Sequence, residues 1–91
     1  MTFDELMKQA KAHFEASEFA KELDCLWKAT VLDPGNAVPY YHLGAAYYRL
    51  NDFHNAMMAF SVVIVLDPKN YYNYICRGNV FFITLDIFNR K

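Results

Sequence analysis

Apolar residues recur at steps of three and four along most of the chain, which is the spacing of one face of an α-helix. In the first such stretch they are Phe3, Leu6, Met7, Ala10 and Phe14. Thr2 and Glu5 have the spacing of a capping box, in which a threonine side chain satisfies the free amides at the start of a helix. The pattern predicts a first helix over about 3–16 with Thr2 as its N-cap.

The same spacing predicts two further helices. The second follows Ser17-Glu18 and ends near Leu32, because Pro34 disfavours helical backbone in the residue before it. The third covers about 37–50, where Pro39 is tolerated because it lies in the first turn. Asn51-Asp52 is predicted to form the turn after it.

The segment 61–66, SVVIVL, is ambiguous because β-branched residues favour strands over helices. Phe53, Met57, Phe60 and Ile64 nevertheless form one apolar stripe at helical spacing. We find no second strand with which this segment would pair, and therefore predict a fourth helix. We assign segment 80–85, VFFITL, to a helix on the same grounds.

The chain contains an internal repeat. Residues 32–36, LDPGN, recur as LDPKN at 66–70. Aligning 3–36 with 37–70 in the same register gives seven identical positions. We therefore predict a single domain over 1–91, built from a first unit at about 3–36, a second at about 37–70 and a partial third at about 71–91.

The second unit carries a recognisable motif, aromatic-x2-L-G-x2-Y followed by A-x3-F and a proline. Its residues are Tyr40, Leu43, Gly44, Tyr47, Ala56, Phe60 and Pro68. The motif resembles the tetratricopeptide repeat (TPR), whose period of about 34 residues matches the distance between the LDPGN and LDPKN segments. The first unit departs from the motif, with Gln9, Ala10, His13 and Glu22 at four of these places. The resemblance implies an all-α fold of antiparallel helical hairpins, stacked as a short right-handed superhelix of about two and a half repeats and five helices.

The resemblance also implies a role as a non-catalytic protein-interaction module or adaptor, because the first helices of such repeats line a concave groove that binds peptides. The register places these residues in the groove: Met7, Lys11, Phe14, Tyr41, His42, Tyr48, Arg49, Tyr72, Asn79 and Phe82, together with Ala45 and Cys76. The implied groove is aromatic, a property that favours peptide binding. Lys11, Arg49 and Asn79 are expected to fix the direction of a bound peptide.

Two subclasses of the family are instructive. One recognises acidic C-termini of heat-shock chaperones through a clamp of lysine, asparagine and arginine side chains. The clamp positions here hold Met7, Lys11, His42, Tyr72 and Cys76, so we expect no heat-shock co-chaperone function. The small chaperones of type III secretion, which hold apolar segments, have a somewhat similar groove. They are usually longer, and they provide one alternative.

Charge argues against nucleic acid as a partner. Nine lysines and arginines face ten acidic residues, for a net charge of −1, and no basic cluster interrupts this balance. Cys25 and Cys76 lack CxxC spacing and are expected to be free thiols in a reducing compartment, with no metal site or cofactor. The N-terminus has no apolar signal region, and the longest uncharged stretch, 55–66, is about half of a membrane span. We therefore expect a cytoplasmic protein.

No catalytic residues are expected. His13, His42 and His54 are scattered, and we find no nucleophile, phosphate-binding or zinc-binding motif. Apolar residues occupy most of the circumference of the predicted helix in 71–91, which implies that another surface covers it. Either the chain forms a homodimer through this segment, or it is a fragment of a longer repeat array. A structural role, in which the stack only builds a homo-oligomer, is the alternative to the binding function.

Overall fold

The computed structural model of the protein describes residues 1–68. This range holds four α-helices and no strand: α1 (Phe3–Glu15), α2 (Phe19–Leu32), α3 (Ala37–Arg49) and α4 (Phe53–Leu66). The all-α class and the four helices predicted in this range are confirmed, including α4, which its residues alone would favour as a strand. The count of five helices is not matched, since the described range holds four. The predicted segments 71–91 and 80–85 lie outside it.

The internal repeat is present in the backbone as well as in the sequence. Ser17 and Asn51, which occupy equivalent places in the two units, both adopt left-handed backbone with φ of 58° and 61°. After the first hairpin turn, the Glu18 amide donates to the His13 carbonyl at 2.8 Å, and the equivalent bond of the second turn measures 2.9 Å. This six-residue closure around a left-handed residue is the Schellman motif that ends many helices. Both hairpins therefore turn in the same way.

Side chains cap the first helix of each hairpin. The Thr2 hydroxyl accepts a hydrogen bond from the Glu5 amide at 3.2 Å, which confirms the predicted N-cap of α1. Asn36 occupies the same place before α3, where its side chain accepts from the Val38 amide at 3.0 Å. Pro39 is buried in the first turn of α3, where no intrahelical donor is lost. Polar residues thus define where both helices begin.

The core consists of small residues next to a few large ones, which lets the helices approach closely. Leu26 of α2 and Leu43 of α3 are fully buried. The buried alanines are Ala10, Ala29, Ala46, Ala56 and Ala59. Phe60 of α4 packs against Gly44 of α3, where a side chain is missing. Val63 is also buried, so the apolar stripe of α4 gains its stability from tertiary packing, which overrides its weak helix propensity.

One side-chain cluster joins the two hairpins. The indole nitrogen of Trp27 on α2 donates a hydrogen bond to the Tyr47 hydroxyl on α3 at 3.0 Å. The Trp27 ring also meets the Tyr40 ring edge to face, with centroids 6.3 Å apart. Since α2 and α3 are the neighbouring helices of successive hairpins, these contacts fix how one hairpin stacks on the next.

Candidate functional site

A cavity of about 470 Å³ opens between α1, α2 and α3. Its walls come from the first helices of the two hairpins, α1 and α3, and buried residues of α2 lie between them. The residues that line it are Met7, Ala10, Lys11, Phe14, Glu15, Glu22, Leu26, Tyr41, His42, Ala45 and Arg49. This is the place where the resemblance puts a peptide-binding groove.

The cavity brings together most of the predicted groove residues that the structure describes. They are Met7, Lys11, Phe14, Tyr41, His42 and Arg49, with Ala45. Tyr48 is not among the lining residues. Its ring packs against Phe53 of α4 with centroids 5.6 Å apart. Tyr72, Cys76, Asn79 and Phe82 lie outside the described residues.

Apolar and aromatic side chains form much of the cavity wall. Phe14 stands on the α1 side and keeps 41% of its surface exposed. Tyr41 stands on the α3 side and is held by the buried ring of Phe60, with centroids 6.1 Å apart. Leu26 of α2 is buried beneath them. The rings of Phe14 and Tyr41 therefore offer contact area to a bound peptide, and they lose little side-chain entropy on binding.

An ion pair between a buried carboxylate and a partly exposed guanidinium crosses the cavity from α2 to α3. The Nη2 atom of Arg49 donates to both carboxylate oxygens of Glu22, at 2.9 and 3.1 Å. The Glu22 side chain is 5% exposed and that of Arg49 is 31% exposed. Glu22 lies where water is scarce, so removal of Arg49 would leave a buried carboxylate without its cation. The resemblance places Arg49 in the groove, but it gives no indication of this acidic partner.

Aromatic rings further restrain the Arg49 guanidinium. Its Cζ atom lies 4.2 Å from the centroid of the Phe14 ring and 5.3 Å from that of Phe19. Cation–π attraction of this kind is favourable and orients the planar group. Both bonds to Glu22 use Nη2, so the hydrogens on Nε and Nη1 have no acceptor within residues 1–68. Within the described residues, Arg49 is thus held in place while its Nε and Nη1 donors have no acceptor.

The cavity carries balanced charge near neutral pH. Lys11 and Glu15 lie on its α1 side, and neither forms an ion pair within the described part of the chain. Loss of hydration at the cavity wall lowers the pKa of His42; the Glu22 carboxylate opposes this effect and the Arg49 charge adds to it. The lowered pKa favours the uncharged imidazole at neutral pH. Among the described residues that line the cavity, the other charges are two cations and two carboxylates, which cancel.

A second cavity, of about 410 Å³, lies between α1 and α2 and contains none of the predicted groove residues. Cys25 on its wall is a buried free thiol, as the sequence predicted, and its Sγ donates to the Gln9 side chain at 3.9 Å. Burial raises the pKa of Cys25, so the thiol is a poor nucleophile at neutral pH. Across residues 1–68 no cluster of histidine, cysteine and acidic side chains is arranged to hold a metal ion. None of the four described helices is long and apolar enough to cross a membrane.

Comparison with known proteins supports the fold. No protein-family model matches the sequence, and no curated protein matches it either. Among solved structures, the chain is similar to the first TPR of Spaghetti (RPAP3) bound to the HSP90 peptide SRMEEVD, with a TM-score of 0.82 and 25% sequence identity. The match covers 88% of this chain and 64% of that one, so the chain spans less than two thirds of its solved neighbour. Four helices in two equivalent hairpins, together with this similarity, show that the chain has the tetratricopeptide-repeat fold.

Proposed function

We propose that the protein is a non-catalytic interaction module, an adaptor that binds a peptide segment of another protein in the cavity between α1, α2 and α3. The observation that carries this proposal is the convergence of Met7, Lys11 and Phe14 with Tyr41 and Arg49 around one opening. The similar solved TPR, which holds an HSP90 peptide, supports a peptide as the class of ligand.

The chemistry of the cavity favours binding over catalysis. Cys25, a buried thiol with a raised pKa, lies on the wall of the other cavity. His42, the histidine that lines the proposed site, has Glu22 and Arg49 as its charged neighbours, and these two are bonded to each other. Exposed aromatic area and spare guanidinium donors suit recognition of a peptide backbone.

Selection of peptides tests this function. Random peptides displayed on phage would be selected on the immobilised protein, and the Kd of each enriched peptide would be measured by isothermal titration calorimetry. Lys11→Ala and Phe14→Ala are expected to weaken binding, each by about tenfold, because both remove groups from the cavity. Lys8→Ala is the matched control, since Lys8 is an exposed lysine of the same helix and does not line the cavity.

Enriched peptides that bind Lys11→Ala, Phe14→Ala and Lys8→Ala equally well would refute the proposed site. Failure to enrich any peptide would refute the proposed function. The sequences of the enriched peptides would also separate the alternatives, because a chaperone for apolar segments is expected to select peptides rich in large apolar residues.

Assembly into a homo-oligomer is the second candidate function. Val31 and Val65 occupy equivalent places on α2 and α4 and are 78% and 77% exposed, and Met58 is 56% exposed. Exposed apolar side chains favour association between proteins where they form one contiguous patch. The segment that the sequence suggests for a homodimer, 71–91, lies outside the described residues. Light scattering coupled to size-exclusion chromatography tests this candidate, and a monomer at high micromolar concentration would refute it.

A further inference from the structure

The position of Glu22 is unusual for this repeat. Its equivalent in the second unit is Ala56, which is fully buried where α4 packs on α3. The first unit therefore has a carboxylate where the second has a methyl group. A buried carboxylate is costly unless it is paired, and here the partner comes from the next hairpin. A residue that only filled space between helices would not need this charge.

The charge of Glu22 acts on the cavity through Arg49. Arg49 is held over the Phe14 ring with spare donors, and without a nearby carboxylate it would make the cavity cationic. Glu22 pairs with Arg49, and Lys11 and Glu15 also cancel, so the described residues that line the cavity have no net charge. A cavity that is apolar and electrically balanced attracts no acidic segment, because electrostatic complementarity rather than contact area decides which charged partner binds.

We propose that Glu22 is a specificity-determining residue: by neutralising Arg49 it makes the cavity accept a peptide segment without net charge and disfavour an acidic one. This inference rests on the proposed peptide-binding function. Glu22 acts through Arg49 and has no need to touch the peptide itself. The spare donors of Arg49 then serve uncharged acceptors, of which main-chain carbonyl groups are the most abundant in any peptide.

The test uses two peptides and compares the wild-type full chain with substitutions at Glu22 and Glu15. The probes are SRMEEVD, the acidic peptide of the similar solved structure, and its near-isosteric counterpart SRMQQVN, in which amides replace the three acidic side chains. Both carry a blocked N-terminus, so SRMQQVN has no net charge. Binding to the wild-type protein, to Glu22→Gln and to Glu15→Gln would be measured by fluorescence anisotropy. Glu15→Gln is the matched control, because it removes the same charge from the exposed rim of the same cavity without releasing Arg49.

Glu22→Gln is expected to bind SRMEEVD at least about tenfold more tightly than the wild-type protein does, and to gain little for SRMQQVN. The gain should disappear at high ionic strength, because it is electrostatic. Glu15→Gln should change the affinity for SRMEEVD by less than about threefold, since an exposed charge is screened by water. Glu22→Ala, which installs the residue type of the second unit, should show the same direction of change as Glu22→Gln.

A measurement without peptide checks that the variant acts through charge. His42 faces both Glu22 and Arg49, so its pKa, followed by NMR, should fall further in Glu22→Gln and remain nearly unchanged in Glu15→Gln. Circular dichroism would show that each variant is folded. An unchanged titration of His42 in a folded Glu22→Gln variant would show that the Glu22 charge does not reach the cavity, which would contradict the inference.

Two results would overturn the inference. The first is that the wild-type protein binds SRMEEVD as tightly as Glu22→Gln does. The second is that Glu15→Gln gains as much affinity as Glu22→Gln. If either result were found while Lys11→Ala still weakened peptide binding, the inference would fail and the proposed function would stand. If no form bound either probe and no library peptide were enriched, both the inference and the proposed function would fail.

Discussion

The contact between Gly44 and Phe60 allows a quantitative test of how α3 and α4 pack. A β-carbon added at Gly44 would lie 2.6 Å from Cε1 of the Phe60 ring and 2.7 Å from both Cδ1 and Cζ. Ordinary contacts between carbon atoms are about 3.5–4.0 Å long, so Gly44→Ala requires the ring to move by about an ångström. Phe60 is 4% exposed, and Ala56 and Tyr41 pack around it, which leaves the ring no open space to enter.

The expected size of the effect follows from two opposing terms. Overpacking a buried site costs about 1–3 kcal/mol, and three close contacts to a rigid ring put Gly44→Ala in the upper part of that range. Replacing glycine by alanine inside a helix stabilises the helix by about 1 kcal/mol, because alanine has the higher helix propensity. We therefore expect Gly44→Ala to lower the free energy of unfolding by about 1–2 kcal/mol.

Urea unfolding followed by circular dichroism measures this change. Gly35→Ala is the matched control, since nothing lies within 4 Å of a β-carbon there and Gly35 does not have positive φ. It should be neutral or stabilising by up to about 1 kcal/mol. Phe60→Leu should lower the free energy of unfolding less in the Gly44→Ala variant than in the wild-type protein, because the smaller side chain relieves the clash with Ala at position 44. If Gly44→Ala is as stable as the wild-type protein, the close packing of α3 on α4 is refuted.

Three further predictions concern the turn, the ion pair and the histidine. Ser17→Gly should raise the free energy of unfolding by about 0.5–1 kcal/mol, because left-handed backbone is unfavourable for serine and glycine adopts it freely. Asn51→Gly should gain less, since asparagine tolerates this backbone. Arg49→Gln should lower the free energy of unfolding by about 3 kcal/mol, because Glu22 is then buried without its cation. The pKa of His42 in the folded protein should lie below its ordinary value of about 6.5. As the pH drops, the unfolded chain therefore binds a proton at His42 before the folded chain does. The free energy of unfolding should fall as the pH drops from about 6.5 towards the folded pKa.

Each of these has a control. Lys28→Gln removes one partner of the exposed ion pair with Asp24 and should lower the free energy of unfolding by less than about 0.5 kcal/mol. If Arg49→Gln lowered it by no more than this, Glu22 would not be buried as described. Equal gains in Ser17→Gly and Asn51→Gly would contradict the argument from residue type. His42→Gln should remove part of the pH dependence of stability, and an unchanged profile would assign it to other groups.

The sequence predicted the helices well because their ends are specified locally. Thr2 and Asn36 provide caps, Pro34 ends α2, and the internal repeat transfers each boundary from one unit to the other. The valine-rich segment of α4 was assigned correctly because the register of the repeat and the apolar stripe outweighed its strand propensity. The observed bounds differ from the predicted ones by a residue, as expected where helix ends fray.

The residues that form the cavity were harder to predict from the sequence than the helices were. The resemblance suggested most of the wall residues on α1 and α3, but not Ala10 and Glu15. It also suggested Tyr48, which packs on Phe53. Glu22 was noted only as a departure from the motif. Its partner Arg49 is 27 residues away on another helix, and no local pattern links two such positions. The available signal was an acidic residue where the second unit has Ala56, since a carboxylate facing a core requires a cation nearby.

Because of its contacts, Trp27 is an intrinsic fluorescence probe of the interface between the two hairpins. The sequence contains one tryptophan, and this residue sits on the seam between the two hairpins, bonded to Tyr47 and in edge contact with Tyr40. Its fluorescence therefore responds to separation of the hairpins, whereas circular dichroism responds to melting of the helices. In repeat proteins the interface and the repeat contribute separately to stability. Comparing the two signals during unfolding would show, without any added label, whether the hairpins come apart before their helices unravel.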